Sequence, residues 1–443
     1  MAKMKNSGVE WIGEIPEGWE VCKLKYCLLD KMQYGANSSG ITFQPELPRY
    51  IRITDIKNNY ELFSEEKLSL PENETAEFLL ENGDLLFARS GATVGKTFLY
   101  RKAIGKAGFA GYLIKAKCNT EKLIPDFLCY FTQCSSYDSW KNQIFIQATI
   151  QNIGADKYSN MEIPCPSIQL QQKIATYLDE KCSQIEQTIQ NQQQVIEKLK
   201  AYKQSLITEA VTGKVKIQNG KVAGKYEQYK DSGVEWIGEI PSGWEVKKLK
   251  YIADSFSKGS GITKDEIVIN GDTPCIRYGE LYAKYDYHFS KCETRTNLEI
   301  IETPKYFSHG DVLFTCTGEL VEEIGKSIAY LGNEKCLAGG DIIVLKHSQD
   351  PMFMGYALDS KYVQGQKSFG KTKLKVVHIS SGEIAGLLIA LPPKEEQKSI
   401  AEYLDKTCTS IDSAIEQKQK LIEKLTEYKK SLIYECVTGK KEI

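Results

Sequence analysis

The stretch SGVEWIGEIPEGWEVCKLKY, Ser7–Tyr26, returns almost unchanged as SGVEWIGEIPSGWEVKKLKY, Ser232–Tyr251. Over those positions only Glu17/Ser242 and Cys22/Lys247 differ, at an offset of 225 (Trp236 minus Trp11). Self-similarity of this length at a fixed offset is the mark of a duplicated unit, so the fold is read as one unit written twice. The box is rich in Trp, Ile and Gly and carries a Pro-Glu-Gly turn at Pro16–Gly18. Trp11 and Trp19 are expected to bury, because a large aromatic plug fixes a short irregular segment.

Outward from each box the same order of patterns follows. From Cys27 to Pro166, short strand-like runs (Tyr50–Ile53, Asp84–Ala88, Thr97–Tyr100, Tyr112–Ala116) alternate with turns, and Ile124–Trp140 reads as a helix. From Leu170 the apolar positions are Leu170, Ile174, Leu178, Cys182, Ile185, Ile189, Ile196, Leu199, Tyr202 and Leu206. Steps of three and four describe a coiled-coil-like seam. Pro166-Ser167 supplies the start signal and Gly213 the stop. A helix of about 40 residues is about 60 Å long. After Pro392-Pro393 the stripe recurs as Ile400, Leu404, Cys408, Ile411, Ile415, Ile422, Leu425, Tyr428 and Leu432, shifted by 226 (Ile400 minus Ile174). Val211-Thr212-Gly213-Lys214 likewise recurs as Val437-Thr438-Gly439-Lys440.

The expected organisation is therefore a box and mixed domain over 1–166, a long helix over 167–213, a linker over 214–230, a second box and domain over 231–392, and a second long helix over 393–443. The middles share only short anchors: Ile51-Arg52 with Ile276-Arg277, Gly83–Phe87 with Gly310–Phe314, and Gly95-Lys96 with Gly325-Lys326. The fold class is α+β, two mixed domains joined by two long helices. One apolar stripe cannot be buried alone, so the helices are expected to pack antiparallel about a pseudo-twofold axis. Each box is expected near the end of the other repeat's helix. A spacer with two different heads suits a two-part extended ligand such as duplex DNA, whose half-sites lie roughly 34 Å apart per helical turn.

Bulk composition narrows the class without naming it. The 443 residues, 42% hydrophobic and 26% charged, are ordinary for a soluble protein of two or more domains. The formal net charge of −1 gives no bulk attraction to nucleic acid or membrane, but charge is locally uneven. Leu85–Thr120 contains no acidic residue and carries Arg89, Lys96, Arg101, Lys102, Lys106, Lys115 and Lys117. A second basic run holds Lys361, Lys367, Lys371, Lys373 and Lys375, followed by His378. Both suit phosphate contacts. The 13 cysteines form no CxxC pair and the four histidines are not at ligand spacing from them, so no metal site is expected. Cys165, Cys182, Cys275 and Cys336 read as reduced core thiols, which points to the cytoplasm. The N-terminus lacks an apolar leader, and no 18-residue apolar run marks a membrane span.

Catalytic patterns fail one by one. Gly91-Ala-Thr-Val-Gly95-Lys96-Thr97 has three residues between its glycines where a phosphate loop needs four. GxSxG, HExxH and the Asn/Asp-Pro-Pro-aromatic tetrapeptide of amino-methyltransferases are absent. No catalytic residue is assigned, and any chemistry is expected of partners.

The chain resembles the specificity subunits of type I restriction–modification systems. The resemblance spans nearly the whole length. It rests on the VEWIGEIPEGWE-type box, ARSGATVGK at Ala88–Lys96, QATIQNI at Gln147–Ile153, the helix starts IPCPSIQLQQKIATYLD and LPPKEEQKSIAEYLD, and the closing ExVTGK at Glu209–Lys214 and Glu435–Lys440. It implies a non-catalytic reader with two target recognition domains for a bipartite, asymmetric duplex DNA target. Two methyltransferase subunits and restriction (motor-nuclease) subunits are the implied partners, and S-adenosylmethionine, ATP and Mg²⁺ are expected only in them. Arg89 beside Ser90-Gly91 suits bidentate contact with guanine or phosphate. Gln147, Thr149, Gln151 and Asn152 suit adenine edges. Arg52, Thr93 and Lys96 complete the first candidate set. Arg277, Tyr278, Thr317, Lys326, Lys371, Lys373 and Lys375 form the second, where Cys316-Thr317-Gly318 replaces Arg89-Ser90-Gly91 and QATIQNI is absent. Ile174, Leu178, Ile185, Ile189, Leu199, Ile400, Leu404, Ile411, Ile415 and Leu425 mark the partner-binding helices. The alternative reading is a coiled-coil scaffold whose two heads bind proteins.

Overall fold

The computed structural model describes residues 3–63, 65–146, 151–318, 320–372 and 377–443. The chain divides into two compact units, one formed by Met1–Gln193 with Gln419–Ile443 and the other by Gln194–Lys418. Both long helices, Ile168–Val211 and Lys394–Val437, therefore contribute to both units.

In the first unit two four-stranded sheets carry the mixed domain. One runs Gln33–Tyr34, Leu113–Ala116, Leu85–Ala88, Thr97–Leu99, all antiparallel. The other runs Ala107–Phe109, Arg49–Ile51, Leu68–Ser69, Ile41–Thr42, with a parallel pair between Ala107–Phe109 and Arg49–Ile51. The segment expected as one helix over Ile124–Trp140 is two, Pro125–Phe131 and Ser135–Ile146. The Thr132 hydroxyl donates back to the Cys129 carbonyl (2.8 Å) at the break, a local bond that competes with helix continuation.

The second unit repeats the plan where the sequences had diverged. Ala253–Lys258, Ile342–His347, Val312–Thr315, Ser327–Tyr330 and His288–Phe289 make a five-stranded sheet. Thr294–Thr296, Thr273–Ile276, Cys336–Ala338 and Tyr306–Phe307 make a four-stranded one with a parallel Thr273–Ile276/Cys336–Ala338 pair. The surviving anchors have local causes. Buried Asp84 accepts from Glu81 N–H (2.8 Å) and buried Asp311 from Ser308 N–H (2.9 Å), so each closes the turn that launches a central strand. Arg52 N–H donates to Asp55 (2.8 Å) and Arg277 N–H to Glu280 (3.1 Å), each fixing a short helical turn.

Within each unit the boxes and helices interlock as the duplicated box suggests. Box strand Glu20–Lys23 pairs antiparallel with Glu162–Cys165, and Glu245–Lys248 with Leu388–Leu391, just ahead of the two long helices. In the first unit Pro16 and Trp19 press against Gly439, and in the second Pro241 and Trp244 press against Gly213. Each box thus seats on the end of the other repeat's helix. Trp19 and Trp244 are buried, while Trp11 is half-buried and Trp236 is 53% exposed. Only the second tryptophan of each box therefore serves as a plug. Buried Gln171 donates to the Lys122 and Pro166 carbonyls, and Gln397 donates to Pro392 O and Gln349. Their side-chain oxygens accept from Ile124 N–H and Asp350 N–H, locking each helix start.

The stripe holds except at its two tyrosines. Leu170, Ile174, Leu178, Cys182, Ile185 and Ile189 share the first unit's core with Leu425, Leu432, Ile433, Cys436 and Val437. Leu199, Leu206, Ile207, Ala210 and Val211 share the second unit's core with Ile400, Leu404, Cys408, Ile411 and Ile415. Descending residue numbers on one helix meet ascending numbers on the other, so the two run antiparallel in each unit. Tyr202 and Tyr428, expected inside, are 55% and 54% exposed, and Lys203, the neighbour of Tyr202, is buried instead. The Lys-, Gly- and Gln-rich segment 214–230, expected as a linker, contains an antiparallel hairpin, Lys216–Gln218 with Lys221–Gly224. Its Asn219-Gly220 corner has both residues at positive φ (52° and 66°), the geometry a two-residue hairpin turn demands.

Cys165, read as a reduced core thiol, is instead joined to Cys22 in a disulfide. The strand pairing sets Cys22 opposite Ile163 and Cys165 opposite Glu20, a diagonal placement within reach of a bridge. Cys182, Cys275 and Cys336 are free and buried, as expected.

Candidate nucleic-acid interface

In the first unit, Leu85–Ala88 leaves the sheet into the loop 89–96 and returns as Thr97–Leu99. Ala88 N–H donates to Lys96 O (2.8 Å) and Gly95 N–H to Ala88 O (2.9 Å), closing the loop's neck. Gly91 and Gly95 sit at φ of +78° and +82°, a region that favours glycine. From the core side the hydroxyls of Tyr137 and Tyr158 donate to Gly95 O and Ala88 O, each at 2.8 Å. The loop is thus a braced platform.

Ser90 bridges Asn152, and Ile153 N–H donates to Arg89 O (2.8 Å), so Gln151 and Asn152 stand beside Arg89 and Ser90. Gly91, Lys96, Gln151 and Asn152 are exposed. The Arg89 guanidinium lies over the Tyr34 ring, 5.0 Å from its centroid. Arg89 Nε and Thr93 Oγ1 are buried polar atoms with no protein partner. Gln147 and Thr149 lie outside the described residues. Arg52 is engaged differently: its guanidinium pairs with Asp55 (2.8 Å) and donates to Glu66 O (3.1 Å). Of the acid-free run, Arg101 pairs with Asp126 and Lys117 with Glu81. Lys96, Lys102 and Lys106 are exposed.

The second unit builds the same device with other side chains. Thr317-Gly318 pairs antiparallel with Val377-His378, and Ile379 N–H donates to Cys316 O (2.9 Å), as Ile153 does to Arg89. Val377-His378-Ile379 is therefore the positional counterpart of Gln151-Asn152-Ile153, at an offset of 226 (Ile379 minus Ile153). The sequence alone hides this, because no side chain in the two segments matches except the final Ile. Thr317 Oγ1 is buried and unpartnered, like Thr93 Oγ1. Exposed His378 takes the place of Asn152. Arg277 Nε lacks a partner, with Glu280 at 3.9 Å, and Tyr278 is 43% exposed.

Three lysines of this half are occupied within the protein. Lys326 donates to the Tyr282 and Tyr285 carbonyls. Lys371 donates to His378 O (2.6 Å) and Glu383 (2.7 Å). Burial works against the Glu383 carboxylate, but hydrogen bonds from Lys371 and Ser380 outweigh it and hold the group down to about 2. Lys367, read as part of a phosphate-facing run, is fully buried: it donates to Ser327 Oγ and Leu358 O, with Asp359 3.9 Å away. Lys373 and Lys375 lie outside the described residues.

Sequence reasoning passed over Tyr34 and Tyr112, exposed by 41% and 61% and both next to Arg89. Arg89 N–H donates to Tyr112 O (3.0 Å), and Tyr34 accepts from Ala155 N–H (3.0 Å). Their one signal was an aromatic set directly against a turn glycine, at Tyr34-Gly35 and Gly111-Tyr112. On the helices, Ile174, Leu178, Ile185, Ile189 and Leu425 pack in the first unit's core, and Leu199, Ile400, Leu404, Ile411 and Ile415 in the second's. The outward faces carry Tyr202 and Tyr428, 55% and 54% exposed.

Two matched platforms, each a braced loop beside a returning strand, define a protein that presents two recognition surfaces of its own. Residues 16–201 and 241–426 each match the type I restriction modification DNA specificity domain, and the chain belongs to that family. It is a specificity subunit, the DNA target-recognition component and not itself an enzyme. It is 25% identical to the type I restriction enzyme MjaVIII specificity subunit of Methanocaldococcus jannaschii, over 96% of this chain and 93% of that one. It is 22% identical to the EcoKI specificity subunit of Escherichia coli K12, over 96% and 90%. In fold it is similar to a chain from a structural study of complex assembly and conformational transition in a type I R-M system (TM-score 0.71, 16% identity, 96% and 99% covered). It is also similar to the HsdS subunit of Thermoanaerobacter tengcongensis (TM-score 0.54, 16% identity, 96% and 98% covered). No described helix is long and apolar enough to cross a membrane.

Proposed function

We propose that this subunit reads a bipartite, asymmetric duplex target, one half through each platform. The observation that supports this most directly is the pairing of Ser90 with Asn152 and of Thr317 with His378. One backbone device repeated with different side chains is what two different half-sites call for. Arg89, Ser90, Gln151 and Asn152, with Gln147 and Thr149, serve base edges in the first half. Lys96, Lys102 and Lys106 serve phosphates. Thr317, His378, Arg277 and Tyr278 take the base-reading part in the second half, and Lys373 and Lys375 belong to the same candidate set.

The subunit docks two methyltransferase subunits and, in the full restriction complex, the motor-nuclease subunits, in the cytoplasm. S-adenosylmethionine, ATP and Mg²⁺ belong to those partners. The deciding measurement is fluorescence or mobility-shift binding of the subunit with its methyltransferase across random and genomic duplexes. Sequence-selective binding that Arg89→Ala abolishes supports the reading. Indifference to DNA sequence overturns it and leaves a protein-binding scaffold.

A further inference from the structure

Three sulfurs meet beside the first box. Cys22 lies on strand Glu20–Lys23, Cys27 ends the short helical turn Leu24–Cys27, and Cys165 ends strand Glu162–Cys165 ahead of the first long helix. Their Sγ atoms all lie within 4.8 Å of one another, with Cys22 and Cys27 at 3.1 Å. Cys27 is buried and the other two are half-buried, which leaves one open side.

The fold itself does not ask for these thiols. The same strand pair and turn form in the second unit, where the corresponding residues are Lys247, Ile252 and Leu391. The register matches: Glu20 faces Cys165 as Glu245 faces Leu391, and Cys22 faces Ile163 as Lys247 faces Ile389. A cation also stands near. Lys122 donates to Tyr26 O (3.4 Å), and burial pushes the Cys27 thiol up, an effect that the Lys122 charge opposes only in part.

We propose that Cys22, Cys27 and Cys165 form a site for one thiophilic d¹⁰ cation of the Zn²⁺ class, held by three thiolates with a fourth position open to solvent. Sulfurs on three separate backbone segments at this spacing suit metal–sulfur bonds of about 2.3 Å around one ion. Occupancy requires the Cys22–Cys165 bond to be reduced. Two equivalents of a small thiol, or one of a phosphine with water, supply two electrons and two protons and leave two cysteine thiols. Binding then releases the three thiol protons. Three thiolates and a divalent ion leave a net −1 that Lys122 offsets. The bound ion ties the box, the turn and the strand before the long helix into one joint.

The test uses the full chain reduced with a phosphine and titrated with Cd²⁺ or Zn²⁺ alone. Thiolate-to-Cd²⁺ absorption and metal content after gel filtration are the readouts. One ion per chain is expected, with retention at least about a hundredfold weaker in Cys27→Ser. The triple variant Cys22→Lys/Cys27→Ile/Cys165→Leu installs the second unit's own residues, so it keeps its melting transition and loses the ion. No retained metal in the reduced parent overturns the site, as does undiminished uptake by Cys27→Ser. Should the triple variant fail to fold, the single variant decides.

Discussion

The Lys203 ammonium lies 2.6 Å from the Asp412 carboxylate, and the pair recurs as Lys429 with Glu186 at 2.5 Å. Both partners have moved by 226 positions (429 minus 203, 412 minus 186). Reciprocal pairing of this kind is what antiparallel helices from repeated units give. The copies differ in depth: the Lys203 side chain is 9% exposed and that of Lys429 is 22% exposed. Lys203 also has Asp286 at 3.5 Å and lies over Tyr287. A double-mutant cycle on urea unfolding should give a coupling of about 1–2 kcal/mol for Lys203/Asp412 and below about 1 kcal/mol for Lys429/Glu186. Equal couplings would show that depth does not set their worth.

Gly439 and Gly213 close the long helices at φ of +73° and +71°. A Cβ on Gly439 would stand 2.5 Å from the Pro16 ring, and one on Gly213 would stand 2.3 Å from Pro241. Gly439→Ala and Gly213→Ala should each lose at least about 1–2 kcal/mol. Gly18→Ala, with nothing within 4 Å, should stay within about 0.5 kcal/mol. Thermal melts of the three variants check this, and a Gly439→Ala melt that overlays Gly18→Ala refutes it.

Arg52 and Arg89 should separate. Arg52→Ala removes the partner of Asp55, which is buried, and is expected to destabilise the chain by about 1–3 kcal/mol. Arg89→Ala should leave the melting transition within about 0.5 kcal/mol and abolish selective binding. The two assays run side by side on both variants; a melt lowered as much by Arg89→Ala as by Arg52→Ala argues for a structural role at Arg89.

Lys96→Ala should weaken binding about equally across DNA sequences and lower the slope of log K against log salt by about 0.9. A salt titration of affinity reads both quantities. A change of preferred sequence with the slope intact would make Lys96 a base reader instead.

His347 supplies an acid-side signature. Burial pushes its imidazole down to about 4, and its Nε2 has no protein partner. Between about 4 and the ordinary value near 6.5 the unfolded chain holds the extra proton, so stability rises with pH through that window and is lost as pH falls through it. Acidification from pH 6.5 to 4 should cost up to about 2.5 kcal/mol more in the parent than in His347→Gln. Urea midpoints measured across that range test it, and parallel curves for the two proteins would remove His347 as the cause.

Some of the architecture was legible because the chain states it twice. The box, the 226-residue shift of the apolar stripe and the matching Val-Thr-Gly-Lys ends are sufficient to give two antiparallel helices with a box seated on each end. Lys203 escaped notice because a long cationic side chain enters a core only when a carboxylate waits there, and Asp412 is distant in sequence. The hairpin at Asn219-Gly220 was missed although its turn residues were in plain view, since lysine-rich flanks masked the pairing.

The sequence by itself determined the duplication, the family and the helical frame, because apolar periodicity and repeated turn chemistry are local and leave a printed record. Only the tertiary structure decided that Val377-His378-Ile379 takes the place of Gln151-Asn152-Ile153, that Lys367 is a core residue, and that Cys22, Cys27 and Cys165 converge. Those facts depend on which strand returns beside which loop. Backbone pairing sets that geometry through N–H and C=O groups common to every residue, so it persists after the side chains that announce it have changed.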